Sequence, residues 1–113
     1  MALEETWHWR VDVSADRSVL TLAGEIDMSG ADGFEHLLRE MIGQARAVEV
    51  DMERLSFIDS TVLGALVAAH HEAVDRGVDL TVVNAANQVR RVLDMTGIMQ
   101  LLDGAAPGPP VAF

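Results

Sequence analysis

The sequence predicts a single α/β domain with a small mixed β-sheet of about four strands, whose elements follow in the order β-β-α-β-α-β-α. The length of 113 residues suits one domain with one hydrophobic core. Half of the residues are apolar, and short segments with the two-residue period of strands alternate with longer segments that have the period of helices. Strands separated by helices pair in parallel through right-handed crossovers, which gives the α/β class.

The first two strands are expected to form an antiparallel hairpin. Apolar and polar residues alternate over residues 7–13, and residues 19–23 are apolar or β-branched. A short polar turn, residues 14–17, joins the two segments. A link of this length cannot hold a crossover, so the hairpin adds an antiparallel edge to a parallel sheet.

An apolar stripe predicts the first helix. Ser29 is of a type favoured at helix N-caps, and Gly43 is of a type common at helix ends. Between them, five apolar residues recur at helical spacing: Phe34, Leu37, Leu38, Met41 and Ile42.

A third strand and a second helix follow. Residues 47–52 alternate in polarity, and Leu55, Phe57 and Ile58 return the chain to the core. Three residues of N-cap type, Asp-Ser-Thr at positions 59–61, then precede a helix that ends at Gly77.

The last part of the chain predicts one more strand and helix. Residues 80–83 form a short β-branched strand, and Asn87 is expected to cap a helix that ends at Gly97. We expect residues 1–103 to form the domain and residues 104–113 to form a mobile tail rich in Pro and Gly.

The composition excludes several classes of function. There is no cysteine, which excludes disulfides, a thiol nucleophile and a thiolate metal site. The net charge is -10, and an acidic surface repels nucleic acid. No apolar stretch is long enough to span a bilayer, and the first ten residues lack the apolar core of a signal peptide. We therefore expect a cytoplasmic protein that binds no nucleic acid and does not insert into membranes.

The sequence carries no recognisable catalytic constellation. His70 and His71 are neighbours on a helix and point in different directions, so they do not form a metal pair. The glycine motifs of phosphate loops and of nucleophile elbows are absent. We expect a protein that is not an enzyme and that has neither a metal nor a cofactor of its own.

One turn stands out, the Asp59-Ser60-Thr61 segment at the start of the second helix. Taken alone, these residues are good helix caps, and that reading is sufficient for most such turns. The functional interpretation is that Ser60 accepts a phosphate, because a helix N-terminus presents unpaired N–H groups and a positive dipole end.

Three segments together resemble the STAS domains of the bacterial anti-sigma factor antagonist family. They are Gly24-Glu25-Ile26-Asp27, Leu55-Ser56-Phe57-Ile58-Asp59-Ser60-Thr61-Val62-Leu63-Gly64 and Val89-Arg90-Arg91-Val92-Leu93-Asp94-Met95-Thr96-Gly97-Ile98. The resemblance covers residues 11–102, and the middle segment is the most specific of the three.

The resemblance implies partner switching. The unphosphorylated protein would bind an anti-sigma factor that is also a serine kinase, and would thereby free a sigma factor. The kinase would use ATP to phosphorylate Ser60, with Thr61 as the alternative acceptor, and a serine phosphatase would restore the free form. The implied partner-binding residues are Asp27, Asp59, Ser60, Thr61 and Val62.

Val62 is a departure from the family pattern, which commonly has Gly at this position. The β-branched side chain is expected to alter how closely a partner approaches the helix start. Two alternatives stay open: a STAS scaffold subunit of a transporter or signalling complex that is not phosphorylated, and a small-molecule binder or enzyme that uses the crevice beyond the strand ends.

Overall fold

A computed structural model describes residues 6–102 of the chain. Within that range the elements are β1 (Trp7–Val13), β2 (Ser18–Ile26), α1 (Met28–Ile42), β3 (Ala47–Ile58), α2 (Ser60–Arg76), β4 (Asp79–Val83), α3 (Asn87–Met95) and α4 (Ile98–Leu102). The predicted α/β class and the mixed four-stranded sheet are confirmed. The tail predicted at residues 104–113 lies outside the described residues.

The four strands lie in the order β1-β2-β3-β4, and the first pair is antiparallel while the other two are parallel. Leu20 of β2, Val50 of β3 and Val82 of β4 form one row across the sheet, and all three are buried. The next residue along each of these strands, at positions 21, 51 and 83, lies on the opposite face and is only partly buried. Among residues 6–102 the helices therefore cover one face of the sheet and leave the other face without a helix.

β3 is longer than the polarity pattern predicts, because the strand continues through residues 53–58. Its register against β2 shifts twice, once between Thr21 and Ala23 and once between Gly24 and Glu25. These shifts change which side chains of β3 point toward the helices, so Leu55 is buried although strict alternation from residues 48–52 would expose it. Because β3 extends to residue 58, residue 59 lies at the edge of the sheet.

Two helix starts differ from the sequence-based expectation. The N-cap of α1 is Asp27 rather than Ser29, because the aspartate carboxylate accepts the N–H of Ser29. The N-cap of α3 is Ala86 and makes no side-chain cap, while Asn87 is already the first residue of the helix. Residue propensity alone therefore does not determine the residue at which a helix begins.

α4 is absent from the sequence-based prediction. Gly97, with a φ of 76°, separates this five-residue helix from α3. Ile98, Met99 and Leu102 are buried, so α4 completes the core. A helix of a single turn is too short for a periodic signal to be recognised.

An aromatic contact fixes α1 against the hairpin. The indole of Trp7 meets the ring of Phe34 edge to face, with ring centroids 6.5 Å apart. The same indole lies over Gly30, where a Cβ atom would come within 2.6 Å of the Trp7 Nε1. The first turn of α1 is therefore held in place next to the end of β2.

Candidate functional site

Two adjacent strand ends define the candidate site. Ile26 of β2 lies opposite Ile58 of β3 in the parallel register. One residue, Asp27, then connects β2 to α1, and one residue, Asp59, connects β3 to α2. Because the two strands are neighbours and end at the same level, the two aspartates emerge side by side at the carboxyl edge of the sheet, where open α/β sheets commonly bind their ligands.

The two helix starts share the same local hydrogen bonds. Asp27 Oδ1 accepts the N–H of Ser29 at 2.9 Å and its hydroxyl at 2.6 Å. Asp59 Oδ1 accepts the N–H of Thr61 at 3.0 Å, the hydroxyl of Thr61, and the N–H of Val62 at 3.2 Å. Met28 and Ser60 consequently occupy equivalent positions, each the first residue of its helix.

The two carboxylates are close enough to influence each other. Hydrogen bonds from the hydroxyl and the N–H of Ser29 lower the pKa of Asp27, although partial desolvation and the charge of Asp59 oppose this. The Thr61 hydroxyl, with help from the N–H groups of Val62, Thr61 and Met28, lowers the pKa of Asp59. Both groups are ionised at neutral pH, so the site is an acidic surface.

The hydroxyls of Ser60 and Thr61, at the start of α2, differ in their hydrogen bonding. Ser60 and Thr61 are both exposed. The Thr61 hydroxyl donates to Asp59. The Ser60 hydroxyl has no hydrogen-bond partner within residues 6–102. Phosphorylation of Thr61 would therefore break a side-chain hydrogen bond, whereas phosphorylation of Ser60 would break none among residues 6–102.

Val62 is not on the surface, although the sequence analysis places it among the partner-binding residues. Its side chain is fully buried in the hydrophobic core, and only its backbone N–H takes part in the turn. The first turn of α2 points this side chain toward the sheet. In this conformation the Val62 side chain does not stand in the path of a partner, and it cannot supply a side-chain contact.

Two residues near the site were missed by the sequence analysis. Met28, the first residue of α1, directly follows Asp27 and is 73% exposed. The amide of Gln88 bonds both the N–H and the carbonyl of Ile58, at 3.2 and 3.0 Å, and so fixes the end of β3 just before Asp59. The repeated Asp-x-Ser and Asp-x-Thr pattern is the sequence signal that could have pointed to Met28.

Residues 6–102 contain no group of three or more His, Asp or Glu side chains that could hold a metal ion. Nor is any helix in that range long and apolar enough to cross a membrane. A groove of about 860 Å³ runs along β4, between α2 and α4, and its lining includes His70, Thr81 and Leu101 but not Ser60.

Comparison with known proteins gives the class. The family described as "Mlab, STAS domain" matches residues 9–103, so the chain belongs to the STAS-domain family. This confirms the resemblance to STAS domains.

Three anti-sigma factor antagonists are similar to this chain over most of its length. The anti-sigma-B factor antagonist of Bacillus subtilis is 28% identical over 98 residues, which are 85% of this chain and 90% of the relative. An anti-sigma factor antagonist from Mycobacterium paratuberculosis has a similar structure, with a TM-score of 0.77, 22% identity and coverage of 90% of this chain and 87% of that one. SpoIIAA in its unphosphorylated form gives a TM-score of 0.74 at 22% identity, covering 88% and 90%. Its phosphorylated form, from Bacillus, gives 0.68 at 21% identity, covering 88% and 93%.

Proposed function

We propose that this protein is an anti-sigma factor antagonist that is controlled by phosphorylation of Ser60. The free form binds an anti-sigma factor that is also a serine kinase, and a sigma factor is released. Phosphorylation by that kinase, at the expense of ATP, ends the binding, and a serine phosphatase reverses the modification. The protein itself is a regulatory binding domain without catalysis or a cofactor.

The observation that carries the proposal is the exposed hydroxyl of Ser60 at the start of α2, which lies next to two ionised aspartates and has no hydrogen-bond partner among residues 6–102. A kinase must reach the acceptor oxygen and orient it for in-line transfer. An exposed hydroxyl without a partner meets this requirement. The antagonist names of the relatives, one of them known in unphosphorylated and phosphorylated forms, support the same function.

Thr61 is the less suitable acceptor. Its hydroxyl donates to the Asp59 carboxylate, which is the main cause of the lowered pKa of that group. Phosphorylation of Thr61 would remove this bond and place a dianion against the carboxylate that now accepts it. The helix start would lose part of its cap as well as gain a repulsion.

Phosphorylation of Ser60 should change binding more than folding. The new group carries about -1.5 to -2 charges, and the dipole of α2 favours it by about 0.3–1 kcal/mol. The nearby Asp59 opposes it, and this repulsion grows several-fold when a partner excludes water from the surface. The domain can therefore keep its fold while the interface is lost.

The test is incubation of the protein with its cognate switch kinase and ATP, followed by mass spectrometry of the peptide that contains residues 59–62. We expect one phosphate on Ser60 in the wild type and in Thr61→Val, and none in Ser60→Ala. Ser29→Ala is the control for Thr61→Val, because it removes the counterpart of the Thr61 hydroxyl at the start of α1, and it should leave the phosphate on Ser60 unchanged. Phosphate on neither Ser60 nor Thr61 would refute the mechanism.

Affinity capture separates the proposal from the scaffold alternative. Ser60→Ala serves as bait for the free form and Ser60→Asp serves as bait for the modified form. A kinase held by the first bait and lost from the second supports the switch. A transporter subunit held equally by both baits would favour a scaffold.

A further inference from the structure

We propose that β1 joins two copies of this chain into a symmetric dimer, with antiparallel pairing of β1 to β1 about a two-fold axis at Val11. The inference concerns a different surface from the acidic site and goes beyond the proposed function. It follows from the open edge of β1, from the direction of its backbone groups and from the order of its side chains.

The outer edge of β1 is unpaired in the part of the chain that the structure describes. β1 is the first strand of the sheet and has β2 as its neighbour on one side. Apolar side chains on this strand stay exposed: Trp9 is 53% and Val13 is 78% exposed. An open strand edge flanked by exposed apolar side chains is a template for pairing with another strand.

The backbone groups of the odd-numbered residues point to this outer edge. Ser14 N–H donates to the Arg17 carbonyl at 2.9 Å, and Glu25 N–H donates to the Thr6 carbonyl at 2.9 Å, so residues 6 and 14 bond across the hairpin. Bonded and non-bonded residues alternate along an antiparallel pair. Even-numbered residues of β1 therefore bond to β2, and the N–H and C=O of residues 9, 11 and 13 face outward.

The side chains of β1 are complementary to themselves about Val11. In the proposed register Val11 faces Val11 of the second copy, Arg10 faces its Asp12, and Trp9 faces its Val13. Arg10 and Asp12 lie on the same face of the sheet, since their side chains form an ion pair at 3.1 Å. In the dimer each arginine also meets an aspartate of the other copy, so four alternating charges form one network.

Other registers lack this match. An axis at Trp9 would place Arg10 opposite His8, and an axis at Val13 would place Asp12 opposite Ser14. The axis at Val11 alone pairs opposite charges directly, and it does so at non-hydrogen-bonded positions, where side chains come closest. The same register pairs the outward-facing residues 9, 11 and 13, which would exchange about six backbone hydrogen bonds, two for each of three opposed pairs.

The dimer would leave the acidic site accessible. Trp7, at the start of β1, packs on Gly30 in the first turn of α1 and therefore marks the end of the sheet that carries Asp27. Val11 lies four residues further along the strand, roughly 13 Å away. Two copies could thus present two free partner-binding surfaces, and dimerisation can be tested without any knowledge of the partner.

The test is sedimentation equilibrium of the full chain from micromolar to millimolar concentration, at about 0.15 M salt so that repulsion between the acidic copies is screened. We expect a reversible monomer–dimer equilibrium for the wild type. Arg10→Asp and Asp12→Arg each replace two attractive pairs by two repulsive ones, so each should weaken dimerisation by about tenfold or more. Arg91→Asp, an exposed charge reversal on α3, should leave it unchanged.

Two restorations make the test specific for the register. The double variant Arg10→Asp/Asp12→Arg should dimerise again, and an equimolar mixture of the two single variants should form a heterodimer. Val11→Pro removes an outward-facing N–H without touching the bonds to β2 and should abolish the dimer. A wild type that stays monomeric throughout, or a dimer insensitive to Arg10→Asp and Asp12→Arg, would overturn the proposal.

Discussion

Asp27 and Asp59 stand next to each other as the caps of two helices, and the charge of Asp59 opposes the ionisation of Asp27. Each carboxylate is held by a hydroxyl two residues further on, from Ser29 and Thr61 respectively. Local hydrogen bonds thus keep two like charges together at one edge of the sheet. The same hydrogen bonds that cap the two helices therefore also hold the negative charges of the candidate site in place.

The repulsion between the two caps predicts a coupling between their substitutions. Asp59→Ala should lower the free energy of unfolding by about 1 kcal/mol, because it removes the side-chain cap of α2. Asp27→Ala should also destabilise the fold. The double variant should lose more than the sum of the two single losses, since each single substitution already removes the repulsion, which the double variant can remove only once. Urea unfolding of all four proteins measures this, and strictly additive losses would show that the carboxylates do not interact.

The lowered pKa values of Asp27 and Asp59 predict a loss of stability in acid. A carboxyl whose pKa is lower in the folded state than in the unfolded state stabilises fully above the unfolded value, about 3.9. Below that pH the unfolded chain takes up the proton first, and the contribution declines until the folded pKa is reached. Unfolding measured between pH 7 and pH 3 should show this decline, and Asp59→Asn, which can still cap but does not titrate, should reduce it. An equal decline in both proteins would contradict the assignment.

The burial of Val62 predicts that this residue matters for stability rather than for contact. Val62→Ala removes two buried methyl groups from a fully buried position, so it should cost about 2 kcal/mol. Val74→Ala is the matched control, because Val74 lies in the same helix and is 62% exposed. Its effect should stay within about 0.5 kcal/mol. Chemical denaturation compares the two, and similar small effects would mean that Val62 is not packed in the core.

The sequence predicts most of the fold, because polarity periods report which side of an element faces the core. The hairpin, the amphipathic α1 and the helix that starts near residue 60 all follow from such periods. The continuation of β3 does not, since it depends on register shifts against β2. α4 is a single turn without a measurable period, and α3 has Ala86 as its N-cap, a residue type that cap propensity does not favour.

The candidate site was predictable only in part. The Asp59-Ser60-Thr61 turn follows from cap chemistry, whereas the position of Asp27 beside it depends on the pairing of Ile26 with Ile58, which no local pattern reveals. The exposure of Met28 contradicts the general rule that large apolar residues are buried, so the sequence gives no direct sign of it. The choice between Ser60 and Thr61 requires the hydrogen bonds themselves.

The indole over α1 predicts opposite effects for two neighbouring glycines. A Cβ at Gly30 would collide with the Trp7 indole at 2.6 Å, whereas one at Gly33 would lie at an ordinary 3.7 Å from it. Gly30→Ala should therefore displace the indole and cost about 1–3 kcal/mol. Gly33→Ala should stabilise the helix by about 0.5–1 kcal/mol. The fluorescence of Trp7, measured in a Trp9→Phe background, should shift for the first variant and stay constant for the second; the reverse would show that the packing is different.

The exposed hydroxyl of Ser60 predicts a variant that loses its partner while it keeps its fold. Ser60→Asp places a negative charge at the first position of α2, where the helix dipole tolerates it, so thermal unfolding should stay near the wild-type temperature. Against Asp59 at roughly 5 Å, the new charge costs about 0.8 kcal/mol in water and about 3 kcal/mol in the less polar surroundings of an interface. Binding to the anti-sigma factor should therefore weaken by about tenfold to a hundredfold, as measured by titration calorimetry. Ser60→Asn is the matched control: it has nearly the same shape without the charge, so it should bind close to the wild type. If Ser60→Asn weakened binding as much as Ser60→Asp, shape rather than charge would control the interface, and the switch would need a different physical basis.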